Sequence, residues 1–221
     1  WNCDWSSDVC SSDLVFITAA LEAKPHLPSA ALILWAMLAA LDVARRGRTR
    51  DFVRLALSSG GAFAFVLTGV AALLLYFPLA ACRSVPRRAL VWAGGAALLV
   101  YAATNPYILK HAAKGGAALQ SNLGNSLAMY RDQAAHAPAG AVRVAQLLPE
   151  AAGALTSIVG LIGGVLLLWR SRPAAAVAPP ALALLVLAAL LGAGKPAEFA
   201  RFLLLPATLL CVCAAIATMD L

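Results

Sequence analysis

Four polar stretches in an otherwise apolar chain hold the residue types that could do chemistry. Glu22-Ala23-Lys24-Pro25-His26 sets two cations beside a proline-stiffened helix start. A lysine is a point charge for phosphate, and a helix N-terminus offers backbone N–H groups to the same anion. The plainer reading is a pair of interfacial side chains whose charged tips reach water. Lys195-Pro196-Ala197-Glu198-Phe199-Ala200-Arg201-Phe202 joins two apolar runs, with Arg201 just inside the second. A charge there needs a reason. It can pair with Glu198 at i, i+3 as a salt-bridged cap, or reach an anionic headgroup.

In Thr104-Asn105-Pro106-Tyr107, Pro106 keeps Asn105 extended and ends a helix, and Tyr107 suits the headgroup belt. Gln120-Ser121-Asn122-Leu123-Gly124-Asn125-Ser126, followed by Met129-Tyr130-Arg131-Asp132, is rich in amides and hydroxyls. Such groups both donate and accept, as sugar hydroxyls require. The alternative is a solvated loop with Asn/Gly turns. His26, His111 and His136 are scattered, and no metal-ligand cluster, phosphate loop or nucleophile triad is visible. No metal and no cofactor are expected.

These stretches must be positioned by elements built for lipid. The 221 residues are 62% hydrophobic and 12% charged, with a mean hydropathy of +0.83. Soluble domains are roughly half apolar and a quarter charged, and a chain of this length cannot bury such an excess in one core. The basic balance of +7 is spread over loops flanking apolar runs, which fits membrane orientation and not nucleic acid.

Residues 1–14 depart from this composition. Asp4 to Leu14, DWSSDVCSSDL, back-translates onto a common sequencing-library adapter. It lacks the basic and apolar regions of a signal peptide. We expect residues 1–14 to be translated artefact and 15–221 to be a partial transmembrane domain. Cys82, Cys211 and Cys213 then remain, all in apolar runs, where cysteine acts as a small hydrophobe.

A span needs about 20 apolar residues. Runs at Leu14–Leu21, Pro28–Ala44, Phe52–Ala81, Ala89–Thr104, Glu150–Trp169, Val177–Leu191 and Phe199–Thr218 predict an all-α, polytopic bundle of about six to seven transmembrane helices. Phe52–Ala81 reads either as one long tilted span or as a hairpin broken at Gly60-Gly61. The hairpin sets Arg45, Arg46, Arg48, Arg50, Arg54, Arg83, Arg87, Arg88, Arg170 and Arg172 on one side, expected to be cytoplasmic. It leaves a polar loop at about 105–141 outside, and we favour it.

Taken in order, the basic "RRGRTRDF", the Gly-broken "LALSSGGAFAF", a helix ending in "TNPY", the loop "LQSNLGNSLAMY" and the helix opening "EFARFLLLPATLL" resemble the type-C-fold membrane glycosyltransferases. The nearest group is that of the protein O-mannosyltransferases and lipid A aminoarabinose transferases. The resemblance implies a multi-pass enzyme of the inner or plasma membrane. It would move a sugar from a polyprenyl-phosphate carrier to a lipid, polysaccharide or protein acceptor on the outer face. By position, Lys24, His26 and Arg201 correspond to carrier-phosphate contacts. Asn105, Tyr107, Asn122, Asn125 and Tyr130 correspond to sugar or loop contacts and supports. The family's catalytic acid lies in a first outer loop that is expected to precede this sequence, so no catalytic residue is carried over. The lysine that many members hold in the Gly-broken hairpin has no counterpart between Arg54 and Arg83. The rival reading is a transporter or channel subunit, since broken helices also mark transport sites.

Overall fold

The computed structural model describes residues 25–107, 136–170, 177–192 and 200–219, with isolated positions between 110 and 131. Among these residues the fold is all-helical, without strands. The elements are α1 (His26–Arg46), α2 (Thr49–Phe65), a 3-10 helix (Leu67–Leu75), α3 (Tyr76–Ala81), α4 (Arg87–Thr104), α5 (Ala137–Ala152), α6 (Ala154–Arg170), α7 (Ala178–Leu191), a short 3-10 turn (Ala200–Leu203) and α8 (Leu204–Met219).

Among the described residues two helices, His26–Arg46 and Arg201–Thr218, are long and apolar enough to cross a membrane, and α5 with α6 would make a third if that bent pair were one span. This is fewer than the six to seven expected; the run Leu14–Leu21 lies outside the described residues, and elsewhere the reasons are local. The α4 helix begins with Arg87 and Arg88, and α7 has only 14 residues. The long run 52–81 is cut at Val66, whose backbone is extended (φ −155°, ψ 144°). Gly60-Gly61, expected as its break, lies inside α2.

Contacts across that cut show that the chain reverses there. A Cβ on Gly69 would collide with the backbone of Ala62, and the Tyr76 hydroxyl lies 3.1 Å from Ser59 Oγ. The returning arm starts as a 3-10 helix, with the Gly69 N–H bonding to the Val66 carbonyl at 2.8 Å, and passes at Tyr76 into α3, which holds Pro78. Three residues per turn place Gly69, Ala72 and Leu75 on one buried face.

Small residues let the helices approach closely. A Cβ on Gly60 would lie 2.5 Å from the Ala97 carbonyl oxygen of α4. Gly160 and Gly163 of α6 meet Leu210 and Cys213 of α8 in the same way, so these two helices run in the same direction. The core between α1, α2 and the returning arm is filled by Ile33, Ala36, Ala40, Leu55, Ala62 and Leu75, all buried. Outward-facing side chains are also apolar: Leu155 of α6 is 76% exposed, Trp92 80% and Trp169 85%. Apolar surface of this extent calls for lipid or a partner, because water-soluble monomers rarely show it.

Nine arginines gather toward one end. Arg45, Arg46, Arg48, Arg50, Arg54, Arg83, Arg87, Arg88 and Arg170 are all exposed, at or near the ends of α1, α2, α4 and α6. Arg172 lies outside the described residues. In the tight turn after α1, Gly47 takes the left-handed φ of 60° that ends a helix cleanly. Arg46 pairs with Asp42 at 2.9 Å. Asp51 is fully buried, and its Oδ2 accepts the Arg48 backbone N–H at 3.3 Å, capping α2.

Candidate anion-binding cleft

At the opposite end from the arginines, the first turn of α1 meets the entry to α8. Pro25 and Pro28 hold this start of α1, and no side chain of the described residues caps it. The prolines bring no N–H and the Ser29 N–H goes to the Pro25 carbonyl at 3.2 Å, so the first turn can offer an anion at most the His26 and Leu27 N–H groups at the positive end of the helix dipole. Ser29, one turn in, is buried. Its hydroxyl donates to the Ala62 carbonyl at 3.0 Å, in the last turn of α2, where helix carbonyls need partners from outside. This bond ties the start of α1 to the point where the chain reverses.

The two segments border a shallow, open cleft whose enclosed volume is about 20 Å³, the space of roughly one water. His26, Ser29, Thr68 and Arg201 supply its polar groups, and Ile33, Leu184, Phe202 and Leu205 form apolar walls. Phe202 links the two basic residues. The His26 ring meets it edge-on, with centroids 6.2 Å apart at 82°, and the Arg201 guanidinium carbon lies 5.2 Å from its centroid. That cation–π contact holds the guanidinium at the rim. The buried Arg201 Nε has no hydrogen-bond partner among the described residues. Among the described residues, no acidic side chain lines the cleft. An arginine fork, an imidazole and a helix N-terminus around one recess can meet an oxygen of a phosphate-like anion at its mouth.

The structure brings together His26 and Arg201 of the residues selected from sequence. Lys24, Asn122, Asn125 and Tyr130 lie outside the described residues. Asn105 and Tyr107 do not line the cleft. Asn105 closes α4 instead: its backbone N–H and its Nδ2 both donate to the Tyr101 carbonyl, at 3.0 and 3.1 Å. Tyr107 is 56% exposed, as an aromatic anchor would be. Asn105→Ala is thus expected to lower stability by about 0.5–1 kcal/mol, the worth of an ordinary hydrogen bond, and to leave anion binding in the cleft unchanged. Thermal unfolding alongside a binding titration checks this, and a larger loss of binding than of stability would move Asn105 into the site.

Sequence reasoning does not single out Ser29, Thr68 and Phe202 as site residues. Ser29 reads there only as part of a helix start, and Thr68 joins the cleft only because the chain turns at Val66. The doubled phenylalanine of Phe199-Ala200-Arg201-Phe202 is the one available signal, since an aromatic beside an arginine can hold it in place. No group of three His, Cys, Asp or Glu side chains that could hold a metal ion occurs among the described residues. Set against family models, curated proteins and solved structures, the chain matches none of them.

Proposed function

We infer that this chain is part of a multi-pass glycosyltransferase of the cell inner or plasma membrane, which takes its sugar from a polyprenyl-phosphate carrier. The observation that carries the reading is the meeting of His26 and Arg201 in a single cleft. These residues stand at the starts of the two helices best suited to cross a membrane. A lipid-linked phosphate needs both features: cations at the boundary for its head, and apolar surface alongside for its tail.

In the reaction, an acceptor oxygen attacks the anomeric carbon as the bond from that carbon to the phosphate oxygen breaks. The phosphate leaves with the electron pair, so its negative charge grows in the transition state. Fixed cations that meet this growing charge lower the barrier. Arg201, His26 and the N-terminus of α1 take that role. Deprotonation of the acceptor calls for a general base, which belongs to the acidic loop implied by the family resemblance and is assigned to no residue of this chain. The segregation of nine arginines to the far end of the bundle supports placing the cleft at the outer face, since arginine-dense loops stay cytoplasmic.

The test compares polyprenyl phosphate with the polyprenol of equal length, added to the purified chain in detergent micelles. The phosphate is expected to raise the unfolding temperature in a concentration-dependent way, and the alcohol is not. Equal responses to both would leave no role for the cationic cleft and would end this reading.

A further inference from the structure

Helix α5 is divided into three strips. Gly140, Val144, Leu147 and Ala151 face the bundle, with Gly140 pressed against Ala189 of α7 and Ala151 clustered with Ala207 of α8. Pro138, Val142 and Ala145 form a second strip that is apolar yet exposed, with Val142 at 60%. Arg143, Gln146 and Glu150 form a third, polar strip, in which Arg143 Nη1 donates to Gln146 Oε1 at 3.4 Å. At 3.6 residues per turn the three strips lie about a third of a turn apart. A helix between a protein and water needs only two.

The neighbouring helix shows what the third strip meets. At Gly153, whose φ of +82° suits glycine, the chain bends by 104° into α6. Helix α6 presents Leu155, Ile158, Leu161 and Val165 outward. With α6 running across a bilayer, a right-angled α5 lies in the plane of that bilayer.

We propose that α5 is an interfacial helix that docks on the phospholipid surface at the cleft end. Its Pro138/Val142/Ala145 strip rests on acyl chains, and Arg143, Gln146 and Glu150 face headgroups and water. Because Ala151 and Ala152 pack beside Ala207, close to the turn that carries Arg201, α5 sets the mouth of the cleft at headgroup depth. This rests on the membrane placement inferred above, and the experiment separates the two.

The full chain, with all five of its cysteines replaced by serine, receives single cysteines at Val142, Gln146 or Leu161. Each is spin-labelled in phosphatidylcholine vesicles, and collisions with oxygen, which concentrates in lipid, are compared with those of a water-borne nickel chelate. Labels at 161 and 142 are expected to favour oxygen, and the label at 146 the chelate. If 142 and 146 both favour the chelate while 161 favours oxygen, α5 stands clear of the membrane and the proposal falls. If both favour oxygen, α5 is half of a broken span and the proposal also falls. A label at 161 that favours the chelate removes the membrane placement itself, and α5's role with it.

Discussion

Valine at Gly160 and Gly163 together should separate α6 from α8 and cause a severe loss of stability. A Cβ at Gly163 would lie 2.5 Å from the Cys213 carbonyl oxygen and 2.8 Å from the Ala217 Cβ, and one at Gly160 would meet the Leu210 backbone. These obstacles are mainly backbone, which cannot rotate aside. Overpacking typically costs about 1–3 kcal/mol per site. Helices in lipid gain no hydrophobic advantage from associating, so close small-residue contact is most of what joins them. Gly95→Val is the control, since a Cβ there meets nothing within 4 Å. Its effect should stay near ±0.5 kcal/mol plus a modest helix-propensity difference. Unfolding midpoints in detergent give the comparison, and equal midpoints for the glycine pair and the control would mean that α6 and α8 do not pack through this face.

The second large effect is expected at Arg201. A hydrogen bond to a charged group is worth about 1.5–3 kcal/mol, so Arg201→Gln should weaken binding of polyprenyl phosphate by roughly 10- to 100-fold. Arg201→Glu should weaken it further, by setting a like charge against the phosphate. Arg201→Lys should keep part of the affinity, because the charge survives while the fork and its contact with Phe202 do not. Titrations in micelles provide the ranking. Indifference of the affinity to all three exchanges would place the phosphate elsewhere. All three variants are expected to keep most of their stability, since the buried Nε has no hydrogen-bond partner to lose among the described residues.

Much of the helical order is visible in the residue pattern, because runs such as Pro28–Ala44 have no alternation that could suit strands. The ends of α1 and α4 follow equally directly, from Arg45-Arg46-Gly47 and from Asn105-Pro106. Less visible is where a long apolar run breaks. In 52–81 the eye goes to Gly60-Gly61, yet those glycines serve close packing against α4 and against Leu32 of α1. The reversal falls at Val66, a residue with no turn signal, where it lays Gly69 on the Ala62 backbone. The same limit applies to the cleft. His26 and Arg201 stand out as charges at helix starts, but their union depends on α1 and α8 beginning side by side. No local spacing encodes that. The right angle at Gly153 is hidden for a related reason: apolar composition continues from α5 into α6, and Pro149, the residue that would suggest a break, stays inside α5 while the chain turns at the positive φ of Gly153.

The 3-10 arm has a geometric corollary. Such a helix advances about 2.0 Å per residue, against 1.5 Å for an α-helix. With nine residues wound this way and six in α3, Leu67–Ala81 extends roughly 27 Å, a little more than the 17-residue α2 beside it. A stretch too short by residue count thus attains nearly the full depth of a hydrocarbon layer of about 30 Å. Counting letters alone understates how far this polypeptide can travel, and stretching the pitch lets both limbs of the hairpin finish level.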